Sequence, residues 1–309
     1  MIRLLALALM LLPAAAQAYS LTPQQIAPGV YMFEGVTEHF TRDNMGDIAN
    51  TGFIVTEDGV LVFDTGPSRS YGQSMRLAIG MVTDKPVKAV YISHHHPDHF
   101  LGNQAFADVP IYALEHTIET IRRDGDAVTD NLYRLVGTPM SGTEPLEPSA
   151  LVTLGRESIG GRDIELIAAG GHGGAGHADL MLLDHGSGVL FAGDLVFHDR
   201  TPTTPNAHLA EWHDALNQIE QLDFRVLVPG HGPSARSADP VQQTRDYLLW
   251  LEDHLQQAAA RGLDAAEVLY LELPERFQHM GVLEQEYRRS VAHLYPEIER
   301  ATLQDARTP

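Results

Sequence analysis

The sequence predicts an α/β domain of two packed sheets with outer helices, followed by a C-terminal helical extension. Three observations point there. Short apolar runs bounded by turn residues recur in both halves of the chain, and each series leads into segments with helical spacing. No Pro/Ser-rich linker separates the halves, so one packed unit accounts for both. A long stretch with one apolar face begins at Asp239, after the last strand-like run.

The first half opens with Gly29-Val-Tyr-Met-Phe33 and Thr51-Gly-Phe-Ile-Val-Thr56 as strands. Asp58-Gly59 separates the second from Val60-Leu-Val-Phe63, a hairpin signal because Asp-Gly fits the tight turns that match strand twist. A helix is expected from about Ser68 to Met81, a strand over Lys88–Ser93, a short strand over Pro110–Ala113 and a helix near His116–Arg123. In the second half, Ile164–Ile167, Leu180–Leu183 and Val189–Ala192 read as strands. A helix carries Leu209, Trp212, Leu216 and Ile219 on one face, and Val226-Leu-Val228 is the last strand. Asp239 as N-cap with Pro240 at the first helical position starts a helix running to about Arg261. Its apolar face is expected to dock on the parent domain. The segments Glu34–Asn50 and Gly125–Ser149 are expected to be loops that shape a pocket.

Residues 1–18 read as a secretory signal: Arg3, an apolar core from Leu4 to Leu12, and Ala16-Gln17-Ala18 as the cleavage site. The core is too short to span a bilayer, so the expectation is an exported, periplasmic protein with no membrane association after cleavage. The resulting division is a signal peptide over 1–18, a main domain over 19–238 and a helical extension over 239–309. The 309-residue chain carries 21 Lys+Arg against 41 Asp+Glu, a formal charge of −20. Such an acidic body repels polyphosphate, which argues against nucleic acid and leaves a small-molecule substrate. There is no cysteine, which removes thiolate mechanisms and cysteine-ligated zinc. No Gly-x-Ser-x-Gly occurs, so a serine-hydrolase elbow is absent.

The chemistry concentrates in His94-His95-His96-Pro97-Asp98-His99, directly after a strand. Read as His-x-His-x-Asp-His, it offers four metal-capable side chains. Neutral imidazoles and a carboxylate suit Zn(II). Four ligands are too many for one catalytic zinc that keeps an open position, so two ions are expected. Further donors follow the later apolar runs. Phe191-Ala-Gly-Asp194 places a carboxylate at an expected strand end, and a carboxylate can give one oxygen to each of two cations. Val226-Leu-Val-Pro-Gly-His231-Gly places an imidazole on a sharp turn, and Gly-Gly-His172-Gly-Gly-Ala-Gly-His177 offers two more histidines.

With these four motifs in order over residues 25–235, the chain resembles the metallo-β-lactamase superfamily, whose fold is an αββα sandwich with a metal site at one edge of the paired sheets. The resemblance implies that His94, His96 and His172 hold one Zn(II) and that Asp98, His99 and His231 hold another. Asp194 would bridge the pair. His177 is the alternative third ligand, since the spacing from His172 to Leu180 is about one residue longer than is usual in that family. Asp64 matches the family's Asp-Thr-Gly turn beside the site, while His95 matches a variable position. His96 stands where flavo-diiron proteins carry Glu, which disfavours oxygen-reducing iron chemistry. The signal peptide and the stretch Gly193–Pro205 resemble periplasmic SoxH-like hydrolases and quinoprotein relay system zinc metallohydrolases.

The implied activity is hydrolysis of an acyl-type bond (thioester, ester, lactone or β-lactam) by a metal-bound hydroxide, with Asp98 as ligand and proton shuttle. Arg200 follows the bridging Asp closely and is a candidate partner for a substrate carboxylate or for an internal salt bridge. The alternative reading is a metal-binding accessory protein in maturation of a periplasmic quinoprotein or redox system. Substrate and oligomeric state stay open.

Overall fold

The structure, a computed structural model, describes residues 19–305. The segment expected to be the signal peptide lies outside the described residues. Two sheets face each other. The first contains β1 (Gln24–Ala27), β2 (Val30–Phe33), β3 (Thr51–Val55), β4 (Val60–Phe63), β5 (Val87–Tyr91), β6 (Ile111–Ala113) and β7 (Ala150–Leu151), each beside its neighbour in sequence. It is antiparallel as far as β4 and parallel from β4 to β7. Its connections carry α1 (Arg69–Val82), the single turn α2 (Pro97–Phe100) and α3 (Glu115–Val136). The second sheet contains β8 (Gly155–Ile159), β9 (Arg162–Gly170), β10 (Ala178–Asp184), β11 (Val189–Phe197) and β12 (Val226–His231), in the order β12-β11-β10-β9-β8. Helix α4 (Leu209–Glu220) crosses from β11 to its parallel neighbour β12, and α5 (Asp239–Ala260), α6 (Ala265–Val268) and α7 (Leu283–Asp305) complete the chain.

Strand alternation explains the layers. In β4, Leu61 and Phe63 point between the sheets, while Val60 and Val62 pack under α1 and α3 with Met75 and Ile79. In β10, Leu180 and Leu182 join the inter-sheet core, and Met181 and Leu183 pack under the second set of helices with Trp212, Leu216 and Leu251. Strands covered on both faces have no polar side to show, which is why they read as unbroken apolar runs. The result is an αββα sandwich in which α5 and α7 thicken one outer layer. The α5 residues Val241, Thr244, Leu248, Leu251, Leu255 and Ala258 are all buried.

Several elements differ from expectation. Helix α3 runs through Gly125 to Val136; a side chain at Gly125 would stand 2.9 Å from Pro145, which accounts for glycine inside the helix. β11 continues past Asp194 to Phe197, so Asp194 sits inside the strand and not at its end. The N-cap of α5 is Ala238, one residue earlier than expected, with Asp239 opening the helix. The polar edge strand β8 and the short β1 and β7 carry little apolar signal. No helix among the described residues is long and apolar enough to cross a membrane.

Candidate metal centre

The ends of three strands and the interior of a fourth meet at one edge of the sandwich. β5 delivers His94 and His96, and Pro97 then starts α2, whose first turn presents Asp98 and His99. β9 ends at Gly170, just before His172, and β12 ends on His231. Asp194 enters from β11 next to Gly193, whose φ of +54° accompanies a break in register between β11 and β12. That irregularity lets the strand continue while the carboxylate turns into the edge. Gly230 of β12 lies against it: a Cβ there would stand 2.0 Å from Asp194 Oδ1.

Two donor groups result among the described residues: His94, His96, His172 and Asp194, and beside them Asp98, His99 and His231. The two oxygens of Asp194 divide between them. Oδ2 lies 3.7 Å from His94 Nε2, 3.8 Å from His96 Nδ1 and 3.6 Å from His172 Nε2, while Oδ1 lies 3.1 Å from His99 Nε2 and 3.3 Å from His231 Nε2. Asp98 Oδ2 is 3.5 Å from His231 Nε2 and 3.8 Å from His99 Nε2. Two ligands about 2.0–2.1 Å from a tetrahedral zinc ion stand about 3.4 Å apart, so the separations match one ion per group.

The atoms that converge are buried and unsatisfied: His94 Nε2, His99 Nε2, His172 Nε2 and Asp194 Oδ1 have no hydrogen-bond partner. Native interiors rarely leave such atoms unpaired, and here all of them aim at the same two points. The donor set fits two cations.

The opposite ring nitrogens are anchored. Asp64 Oδ2 lies 2.8 Å from His99 Nδ1 and accepts from the Ser93 hydroxyl, while Asp64 Oδ1 accepts from the Ser93 N–H. The Ser93 hydroxyl also lies 2.9 Å from His94 Nδ1. Asp179 Oδ2 lies 2.9 Å from His172 Nδ1, and the Ile48 carbonyl accepts from His231 Nδ1 at 2.7 Å. Such anchors fix ring orientation and leave Nε2 free to face an ion. Burial, reinforced by neighbouring imidazoles, drives the His94 pKa well below the ordinary value, so this ring is a neutral donor. Burial opposes ionisation of Asp194, but His231, His99 and His94 outweigh it and hold the carboxyl well below its usual range. Burial also disfavours charge on His99, yet Asp194, Asp64 and Asp98 raise its pKa.

The other sequence candidates lie as follows. His177 is outside both groups, stacked on His116 with centroids 4.9 Å apart, so of the two histidines only His172 joins the donors. His95 is half-buried, and burial with the surrounding imidazoles pushes it down to about 2. Arg200 is buried and takes the internal partner: its Nη2 lies 3.5 Å from Glu286 Oε1. It also lines a cleft of about 160 Å³ that opens over His96, Asp98, Asp194 and His231. The expected pocket-shaping segments do line this cleft, through Phe40 and Ile48 and through Val128 and Asn131, the latter pair from helix α3. Sequence reasoning missed Asp179, Ser93, Glu286 and Arg289. Asp179 had one faint signal, an acid directly before the apolar run Leu180–Leu183.

A profile of the metallo-beta-lactamase superfamily matches residues 45–231. The chain belongs to that superfamily. It is 23% identical over 287 residues to a linear primary-alkylsulfatase from a Pseudomonas strain, covering 79% of this chain and 54% of the relative. It is 26% identical over 186 residues to a beta-lactamase-like protein 2 homolog from Caenorhabditis elegans, covering 60% and 56%. The chain thus spans about half the length of the curated relatives it matches. Among solved structures, a metallo-beta-lactamase from Pontibacter korlensis superposes with a TM-score of 0.59 at 21% identity over 74% of this chain and 99% of that one. A stereoselective inverting sec-alkylsulfatase from Pseudomonas sp. gives 0.66 at 17% identity over 89% and 50%. These similarities establish the fold.

Proposed function

We propose that this superfamily hydrolase is an exported, periplasmic enzyme that binds two zinc ions and cleaves an acyl-type bond in a small molecule. Residues 19–238 would form the hydrolase unit, with 239–309 packed on it. The observation that carries the reading is the division of the Asp194 oxygens between two donor groups, in which the Nε2 atoms of His94, His172 and His99 have no hydrogen-bond partner. His94, His96 and His172 would hold one ion, Asp98, His99 and His231 the other, with Asp194 between. Metals bound there supply an activated water and a Lewis acid.

The chain's own residues do the rest. Asp98 lines the cleft, so its carboxylate is placed to pass a proton to a leaving group. Asp64, Ser93 and Asp179 hold the imidazoles in orientation. Phe40, Ile48 and Val128 give the cleft an apolar wall that limits water access.

The test is zinc analysis of the loaded protein together with turnover of chromogenic esters, thioesters, lactones and β-lactams. Alkyl sulfates are added because a relative is an alkylsulfatase. Two zincs per chain with hydrolysis of an acyl substrate is the expected result. A single zinc would overturn the dinuclear assignment, turnover of alkyl sulfates alone would overturn the acyl bond class, and two zincs without any turnover would favour a metal-binding accessory role.

A further inference from the structure

At the end of the sandwich away from the metal centre lies a pocket of about 580 Å³ that the hydrolase reading does not use. It forms where the β1–β2 turn, the start of β9, the β10–β11 turn and the start of β12 come together. β12 runs from Val226 in this pocket to the donor His231. At about 3.3 Å per residue, the strand keeps the two places roughly 17 Å apart. The volume falls among small-molecule sites, which span roughly 300–1,000 Å³.

Arg162, Arg225 and Arg236 line the pocket and no Asp or Glu does, in a chain with 41 acidic side chains against 21 basic ones. Arg162 is spent: Nη1 donates to the buried carboxylate of Asp184, Nε to the Val55 carbonyl and Nη2 to the Pro28 carbonyl. Asp184 also accepts from the Gly186 N–H and the Ser187 hydroxyl, so the group that cancels Arg162 shapes the next turn. That turn pins Arg225 without neutralising it. Nε donates to the Ser187 carbonyl at 3.1 Å and Nη2 to the Gly186 carbonyl at 2.8 Å, which leaves Nη1 over. Gly188 makes room for the fork, since a Cβ there would stand 2.5 Å from Arg225 Nε. Arg236 follows Ala235, whose backbone pairs both ways with Leu227, and its guanidinium has no ion partner among the described residues. Two uncancelled positive charges thus share one pocket, and Ile26, Pro28 and Val226 give it an apolar side.

The geometry points to a binding site for a small phosphate monoester with an apolar substituent, separate from the metal centre. Two free charges match such an ester, which carries nearly two negative charges at neutral pH, whereas a carboxylate carries one. Guanidinium forks pair with phosphate oxygens through parallel N–H···O bonds. A fork already held by carbonyls loses little freedom when it binds. A nucleic-acid strand is the wrong ligand, because the pocket holds one small molecule and the acidic body repels a polyanion. The site stands whether or not the metal centre cleaves acyl bonds.

The experiment is calorimetric titration of zinc-loaded protein with phenylphosphonate, which mimics the ester and has none to cleave, and with benzoate, which sets one charge on the same ring. Wild type should bind phenylphosphonate about tenfold more tightly than benzoate, and Arg225→Gln and Arg236→Gln should each lose about that factor, a 1.4 kcal/mol change. R225Q also gives up the bonds that pin the turn, so R236Q, which breaks no ion pair, decides if R225Q misfolds. Phenylphosphonate held at the zinc ions would bind wild type and R236Q alike, so unchanged affinity in R236Q would overturn the site. Equal affinity of wild type for the two probes would overturn it as well. Co-sedimentation with phosphatidate vesicles separates a lipid headgroup from a free ester: vesicle binding without affinity for phenylphosphonate would overturn the small-molecule ligand, and wild type left in the supernatant while it binds phenylphosphonate would support it.

Discussion

Asp179 grips His172 from behind: its Oδ2 lies 2.9 Å from the ring's Nδ1, which turns Nε2 toward Asp194. The same oxygen lies 3.9 Å from His94 Nδ1, so one buried carboxylate sits behind donors from two separate loops. Asp179→Asn keeps the shape and removes the charge. We expect zinc affinity to fall about 10- to 100-fold, measured by chelator competition. Unchanged affinity would mean the rings are held by packing alone.

Asp64 plays the matching part for His99, and it does so from a left-handed backbone with φ of +57°. Asparagine tolerates that conformation, whereas a β-branched residue does not. Asp64→Asn should therefore weaken zinc binding with little loss of stability, and Asp64→Val should lower the melting temperature as well. Equal melting temperatures for the two variants would contradict the backbone argument.

Asp194→Ala removes the carboxylate that faces both donor groups. The expected outcome is loss of one or both zincs and of hydrolysis, with the far-ultraviolet circular dichroism retained. Wild-type zinc content in that variant would show that Asp194 does not serve both groups.

Gly230→Ala tests the same carboxylate from the neighbouring strand. The added methyl would stand 2.0 Å from Asp194 Oδ1 and 2.7 Å from the Gly193 carbonyl carbon, and neither neighbour is a flexible chain end. Overpacking of this kind costs about 1–3 kcal/mol. Denaturant titration should report that loss together with weaker zinc binding; a variant as stable and as zinc-loaded as wild type would show that the strands can part.

The Asp47 carboxyl is pushed up to about 7 by burial. An acid whose folded pKa exceeds its unfolded value of about 3.9 holds a proton in the folded state that the unfolded state has released. Its contribution to stability therefore falls as pH rises from about 4 to 7 and stays low above that. Asp47→Asn should raise the melting temperature at pH 8 and leave it nearly unchanged at pH 4. An equal shift at both pH values would exclude the titration.

The donors could be read from the sequence because they follow apolar runs and most stand beside Gly or Pro, although Asp194 proves to lie inside β11 and not where a strand hands over to a turn. Strands covered on both faces read clearly for the same reason. What stayed hidden depends on contacts far apart in sequence. His172 and His177 share the same glycine-rich surroundings, and only the end of β9 at Gly170 decides which reaches the edge. Glu286 lies among apolar α7 residues such as Leu283, Tyr287 and Val291, and its purpose becomes visible only when Arg200 lies opposite. The length of α3 was obscured by Gly125, whose missing side chain is dictated by Pro145.

The placement of Glu286 and Arg289 on the last helix divides labour along the gene. The donors end at His231, and the α7 residues Glu286, which meets Arg200, and Arg289, which lines the cleft, are written after them. Changes in α7 therefore alter the residues that meet Arg200 at the cleft without touching a single donor.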